Sequence, residues 1–322
     1  MIDFMKYKKY FFLLPLVIIL AGIIGLVVNG LNYDIQFQGG TIIQIEMSDS
    51  NFDANEIGIK LGDMLNKKVS PQKIQAYNPE EGAESINILM LKIPGNEALE
   101  DEEINSIIET LKKDYNAKRI YQMQSVQPFI ANEIKQKGIK AVLVASILII
   151  LYVWWRFSAI SGLPAALTAM VALLHDVIVM FCAYTIFQIP LNESFIAAVL
   201  TILGYSLNNT IIVYDRIREN SRKMHKMSVD ELVSFSVKQS FNRAINTLIT
   251  TLLAIVTVYV FASINNIQSI KEFAFPLIIG LVGGTYSSLF IAPTLWMMWK
   301  QRELKGRIVA KQAKTKAKPK TR

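Results

Sequence analysis

The chain has 322 residues, 52% of them hydrophobic and 19% charged, with a mean hydropathy of +0.32. That mix is too apolar and too poor in charge for an ordinary water-soluble domain, in which about a quarter of residues are charged. The net charge is +8, and Cys182, His175 and His225 are all of its cysteine and histidine, which excludes a disulfide framework and argues against zinc chemistry.

From the N-terminus, Lys6, Lys8 and Lys9 precede an apolar run over 10–28, close to the roughly 20 residues that a helix needs to cross a bilayer core. The run is too long for an ordinary signal-peptide core and no small-x-small cleavage site follows before Asn32, so it reads as a retained anchor. Residues 31–138 change character: they hold 11 Lys/Arg against 17 Asp/Glu, a balance of −6. There, 35–46 reads as a strand broken or bulged at Gly39-Gly40. The spacing of Ile57, Leu61, Met64 and Leu65 predicts a helix over 53–66. Strands follow over 73–77 and 85–93, joined by a Pro/Gly turn at 78–82, then an amphipathic helix over 102–113 and a strand over 119–126. The order β-α-β-β-α-β is that of a ferredoxin-like split unit. The domain shows no Ser/His/Asp set, metal cluster or phosphate loop, and Gly39-Gly40 lacks the dinucleotide or P-loop spacing.

Five further apolar stretches follow over 139–155, 162–187, 194–214, 244–264 and 273–299, the first of them closed by Trp154, Trp155 and Arg156 at an interface. The fold class is therefore a six-helix membrane bundle with one small α+β domain between spans one and two. Its divisions are 1–30, 31–138, a five-helix bundle over 139–299 with a loop at 215–242, and a basic tail over 300–322. Six spans put both termini on one side. That side carries 21 of the 34 Lys/Arg, so the positive-inside rule makes it the cytoplasm and the acidic domain extracytoplasmic. The tail holds ten Lys/Arg and one acid. It suits anionic lipid headgroups, lacks the aromatic residues that nucleic acid would stack on, and reads as disordered beyond Arg307.

Polar residues inside the spans fall into stripes at helical spacing. The third span carries Thr168, Ala172, His175 and Asp176; the fourth, Thr201, Tyr205, Asn208 and Asn209; the fifth, Arg243, Thr247, Thr250 and Thr251; the sixth, Gly280, Gly283, Gly284, Ser287 and Ser288. Four such stripes can converge on one polar interior. Asp176 lies at mid-span, where an unpartnered carboxylate favours taking up a proton, the property of a relay; a structural carboxylate held by hydroxyls of a neighbouring helix is the competing reading. His175, one residue away, is expected to face elsewhere. Gly280 and Gly284 form a small-xxx-small helix-packing pair, and Arg243 begins its span where snorkelling would also explain it. Asp215, Arg216, Arg218 and Glu219 read as an interfacial helix end with ion pairs along it.

With LLHDV around Asp176, GYSLNNTIIVYDRIREN from Gly204 to Asn220 and SFNRAINTLITT from Ser240 to Thr251, the chain resembles the SecF subunit of the bacterial SecDF protein-export complex. The likeness extends to FQGGT at the exit of the first span, the small external domain, five further spans and the basic tail. It implies a non-enzymatic translocase subunit, related in architecture to resistance-nodulation-division exporters. Such a subunit pairs with SecD, engages the SecYEG channel of the bacterial cytoplasmic (inner) membrane and uses the proton-motive force, or sodium in some members, to promote preprotein export. It also places Ser206 in the motif and the polar interior. Family members usually read GYSxND, with that aspartate as ion carrier and the arginine that matches Arg243 as its partner. Here the position is Asn209, which cannot ionise. The role is expected to pass to Asp176 and to the carboxylates of a SecD partner; sodium would tolerate the amide oxygen. A structural scaffold with a lost relay and a small exporter are the alternatives, the latter opposed by an external domain of about 100 residues.

Overall fold

A computed structural model describes residues 4–49, 51–77, 85–95, 99–224, 227–265 and 267–316. The expected turn at 78–82 and His225 lie outside the described residues. Helix α1 (Phe4–Asn29) leads into a single short turn, α2 (Ile35–Gln38), and the strands and helices β1 (Gly40–Met47), α3 (Ala54–Leu65), β2 (Ser70–Tyr77), β3 (Ser85–Pro94), α4 (Asp101–Tyr115) and β4 (Ala117–Val126). The sheet order is β2-β3-β1-β4 with every neighbouring pair antiparallel. Helix α3 starts where the Asp53 carboxylate accepts the backbone N–H groups of Asn55 at 2.8 Å and Glu56 at 3.4 Å, and ends on Asn66 in the left-handed region, the usual solutions for unpaired backbone groups at helix ends. Ile43, Ile45, Leu89, Leu91, Ile57, Leu61, Ile107 and Leu111 are buried between the sheet and its two helices.

The strand predicted from residue 35 begins instead at Gly40. The Asp34 side chain caps a helical turn, and Gly39 (φ 87°) and Gly40 (φ 137°) reverse the chain before β1. At Gly40 a Cβ would stand 2.3 Å from the Ile93 carbonyl oxygen, so glycine is required by both backbone sign and space. The register shifts fall further on, between Gln44 and Ile45 and between Glu46 and Met47.

Among the described residues, six helices are long and apolar enough to cross a membrane. After α1 these are α5 (Pro128–Arg156), α6 (Gly162–Phe187), α7 (Glu193–Lys223), α8 (Val229–Ile264) and a rod made of α9 (Gln268–Tyr286), a π-helical turn (Ser287–Ile291) and α10 (Ala292–Lys316). Two expectations change. The segment 215–242 is mostly helix, since α7 runs on to Lys223 and α8 starts at Val229 behind a Ser228 cap. Helical backbone also continues through 307–316, where disorder was expected. In both places helical backbone extends past the apolar stretch, where hydropathy carries no signal; in the first of them the Ser228 cap and the pairing of Arg216 and Lys223 with Glu219 support it.

Helices α6, α7, α9 and the π turn form the interior, while α1 and α8 turn large apolar side chains outward. Cys182 packs against α1: a Cβ on Gly22 would lie 2.2 Å from its Sγ, and the Thr185 hydroxyl donates to the Gly22 carbonyl at 3.0 Å. The sheet domain is seated on the α6–α7 connection. Leu191 N–H donates to Asn32 O at 2.8 Å, Asp34 N–H donates to Leu191 O at 3.0 Å, and Lys92 Nζ lies 2.6 Å from the buried Asp34 carboxylate.

Candidate functional site

Asp176 lies near the middle of α6, about 21 Å along the helix from Gly162 and about 16 Å from Phe187 at 1.5 Å per residue, and it is 1% exposed. Its Oδ2 accepts the Ser206 hydroxyl of α7 at 2.6 Å and the Ser287 hydroxyl of the π turn at 2.9 Å. Three elements thus meet at one oxygen. On the other oxygen, Oδ1, the Nδ1 of His175 lies at 2.9 Å. His175 was expected to face away; successive side chains diverge by about 100° on a helix, but the imidazole is long enough to fold back on its neighbour. Its Nε2 is buried and has no partner among the described residues.

The two serine hydroxyls each have a second acceptor, the Gly284 carbonyl, at 3.3 Å from Ser206 and 3.1 Å from Ser287. Gly284 permits this approach: a Cβ there would stand 2.9 Å from Ser206 Cβ and 3.5 Å from Asp176 Oδ2. Gly280, one turn earlier, faces Ile202 and Met180, with a Cβ falling 2.5 Å from Ile202 Cγ1. The π turn presents two consecutive hydroxyls inward, both fully buried. Ser287 serves Asp176, and Ser288 donates to the Ser206 carbonyl at 2.9 Å while accepting from the Thr210 hydroxyl at 2.9 Å. π turns recur at functional sites because the extra residue re-aims neighbouring side chains. One turn on, Tyr214 OH and Thr168 Oγ1 lie 2.7 Å apart, and Tyr214 donates to Ala292 O at 3.3 Å. Ser206, Thr210 and Tyr214 therefore form a hydroxyl line at four-residue spacing along α7, from Asp176 toward the charged end of the helix.

The fourth-span stripe divides. Asn209 is buried, its Nδ2 3.4 Å from Thr285 Oγ1 and its Oδ1 without a partner among the described residues. The Tyr205 hydroxyl is likewise buried and unpartnered among them, while Gly204 and Asn208 are on the exposed face of α7. The fifth-span stripe does not join the interior. Arg243 and Thr250 are exposed, and the Thr250 hydroxyl turns to the Asn246 and Thr247 carbonyls of its own helix. The reason is competition: Ala244, Leu248, Leu252 and Ile255 take the inward face of α8, which rotates the polar stripe to the flank. Three stripes converge, from α6, α7 and the sixth span. At the end of α7, Asp215 is bridged by Arg218 at 2.8 Å and by Arg156 of α5 at 3.0 Å, and Arg216 pairs with Glu219 at 2.8 Å.

Thr210, Tyr214 and Thr285 are the site residues that stripe reading missed. The four-residue spacing of Ser206, Thr210 and Tyr214 was the available signal. Glu272, buried on α9 and bonded by the Asn192 side chain, was also missed, its one sign being an acid at the start of an apolar span.

Among the described residues, six membrane-length helices, three of which meet at a buried, hydroxyl-bound carboxylate, fit a polytopic membrane protein. Residues 106–302 match the family described as protein export membrane protein SecD/SecF, C-terminal. The chain is 36% identical to the protein translocase subunit SecF of Alicyclobacillus acidocaldarius over 94% of both chains. It is 33% identical to the protein translocase subunit SecDF of Bacillus subtilis over 94% of this chain and 39% of that longer one. The crystal structure of SecDF from Thermus thermophilus, a translocon-associated membrane protein, superposes with a TM-score of 0.75 at 27% identity, over 93% of this chain and 38% of that one. The chain belongs to the SecD/SecF family of protein-export membrane proteins and matches its SecF subunits over nearly its whole length. Those relatives are bacterial translocase subunits, components of membrane transport rather than enzymes.

Proposed function

We propose that this chain works with SecD as an ion-gradient-linked subunit of the translocase, promoting preprotein export through SecYEG, with Asp176 as the ion-carrying carboxylate and the proton as coupling ion. The observation that carries the reading is the site itself: among the described residues Asp176 is the one carboxylate buried at mid-span, and its hydrogen bonds tie three helical elements together. With Asp176 ionised, Ser206 and Ser287 both point to Oδ2. Protonation weakens that pull, and the Gly284 carbonyl is in reach of both hydroxyls. A change of charge at one atom thus becomes a change of partner across α6, α7 and the sixth span, the kind of two-position element that ion binding can bias.

Further parts of the assignment rest on chemistry at the surface. Gly204, Asn208 and Thr250 lie exposed on α7 and α8 at depths where lipid would meet polar groups; a SecD subunit covering that face would supply their partners, and with them the carboxylates that complement Asp176. The basic residues of the N-terminus, Arg156, the segment 216–243 and the tail from Lys300 favour both termini in the cytoplasm, with the ferredoxin-like domain outside the inner membrane. The basic tail rests on anionic headgroups. Copurification of the chain with SecD, combined with export measured in vesicles with and without the chain, tests the reading; unchanged preprotein maturation without the chain overturns it. Asn209→Asp under separate proton and sodium gradients tests whether the family's usual carboxylate position can be restored, with gain of gradient dependence as the expected result.

A further inference from the structure

Where the apolar stretches end, α7 and α8 enclose a cleft of about 560 Å³ lined by Arg216, Arg222, Lys223, Arg243, Gln239 and Ser240, together with Arg218, Asp215 and Glu219. Its depth is fixed by both walls. On α7 the charges begin at Asp215, after the apolar residues 194–214; on α8 they end at Arg243, before the apolar residues 244–264. From Asp215 to Lys223 is about 12 Å of helix, which reaches through the headgroup layer of one leaflet.

Five cations and two carboxylates leave this cleft strongly positive. The carboxylates are already engaged: Asp215 by Arg218 and Arg156, Glu219 by Arg216 and by Lys223 at 2.7 Å. Arg222 and Arg243 are exposed and have no carboxylate within ion-pair distance among the described residues. Gln239 gives its carbonyl oxygen to Asn220 Nδ2 at 2.9 Å, so the group it has left for a ligand is its amide donor. The cleft therefore offers guanidinium forks and an amide N–H with its acceptors spent, an arrangement suited to a tetrahedral oxyanion, which two arginines can grip in bidentate fashion.

We infer that the α7–α8 cleft binds a phosphate group at the membrane surface, the phosphodiester of an anionic phospholipid headgroup being the source that its depth favours. Basic pockets between membrane helices at this depth hold such headgroups. The inference does not depend on whether Asp176 carries an ion.

Native mass spectrometry of the full chain in one detergent, titrated with phosphatidylglycerol, phosphatidylcholine or inorganic phosphate, tests it. Phosphatidylglycerol is expected to bind more tightly than phosphatidylcholine. Its affinity should fall roughly thirtyfold in Arg222→Gln/Arg243→Gln and roughly fivefold in Arg222→Gln alone, each exposed charge acting near the surface. Arg302→Gln/Lys305→Gln, which removes the same charge from the tail, should leave that affinity as it was. Displacement of the lipid by millimolar inorganic phosphate supports the phosphate site and assigns it to the soluble anion. Equal affinity for both lipids, an undiminished affinity in the cleft variants, an equal loss in the tail variant, or binding only of an acidic peptide overturns the inference.

Discussion

Asp176→Asn separates a relay from a strut, because the amide can keep the geometry while losing the charge. If the Asn carbonyl takes the place of Oδ2, it can accept both Ser206, now at 2.6 Å, and Ser287, now at 2.9 Å. The amide N–H then faces His175 Nδ1, which accepts in one neutral tautomer. What is lost is the charge assistance of two hydrogen bonds, about 1 kcal/mol each or about 2 kcal/mol in all, and Gly284 O stands within reach of either hydroxyl to limit the loss further. The folded variant should therefore be obtainable, with a modestly lower melting temperature. Across 100 mV a single elementary charge carries about 2.3 kcal/mol, similar in size to that stability loss, so total export activity cannot distinguish the two roles. The measurement is the ratio of preprotein export in energised vesicles to export after the gradient is collapsed. A relay predicts a ratio near one in Asp176→Asn and a clear stimulation in the unaltered chain. If the variant melts lower yet keeps the full stimulation, Asp176 is structural and the relay reasoning is refuted.

Helix packing gives a paired prediction: Gly284→Ala, with its Cβ 2.9 Å from Ser206 Cβ, should cost about 1–3 kcal/mol by overpacking, whereas Gly204→Ala, with nothing within 4 Å, should leave the melting temperature unchanged or slightly raised; thermal denaturation of both in detergent is the check. In the sheet domain, the Lys118 ammonium beside buried Glu46, aided by Arg119 and opposed by burial, holds that carboxyl below its ordinary value of 4.5. Its contribution is thus complete above about pH 4.5 and lost as pH falls through the depressed value. Glu46→Gln should accordingly weaken amide protection in β1 and β4 by about 1 kcal/mol at pH 7, discounted for the exposure of both cations, and by less near pH 3; equal losses at both pH values would contradict the assignment. Lys92→Met leaves the Asp34 carboxylate buried with one backbone N–H at 3.4 Å, a loss of about 3 kcal/mol that hydrogen exchange should read as faster opening around residues 32–39, and unaltered protection there would count against the clamp.

Much of this was legible in the residues, and the failures share a cause. Apolar length, with the Trp154-Trp155-Arg156 interface for the short stretch 139–155, located the six membrane-length helices among the described residues, and Asp176 stood out because a carboxylate at mid-span is costly. Pattern could not say which stripes meet. Arg243 and Thr250 have the same spacing as the stripes that do converge, yet Ala244, Leu248, Leu252 and Ile255 won the inward face of α8. Residues 35–38 have the composition of a strand, but Asp34 caps a turn and Gly39-Gly40 redirects the chain, so local backbone chemistry overrode propensity. The π turn that aims Ser287 and Ser288 at Asp176 and Ser206 has no period to reveal it. The Asp34–Lys92 and Arg156–Asp215 pairs join residues 58 and 59 positions apart, and such pairing is decided by tertiary placement, which no local window contains.

That tertiary placement also supplies a physical route from the buried carboxylate to the sheet domain. Between Asp176 and Gln188, α6 is an unbroken rod of about 18 Å, and the connection that follows is bonded through Leu191 to Asn32 and Asp34. Asp34 is in turn held by Lys92 of β3, which pairs with Ser70 on one side and Ile42 on the other. A shift of α6 against α7, as the hydroxyls exchange Asp176 for Gly284, would reach the sheet domain through one helix, four linker residues and one ion pair. Continuity of contact is not yet coupling, but it makes Lys92→Met informative twice over. The variant leaves every atom around Asp176 in place while loosening the clamp, so lost gradient stimulation with an intact binding partner would locate the transmission in the clamp. Retained stimulation would mean that the clamp is not the route by which a change at Asp176 is transmitted.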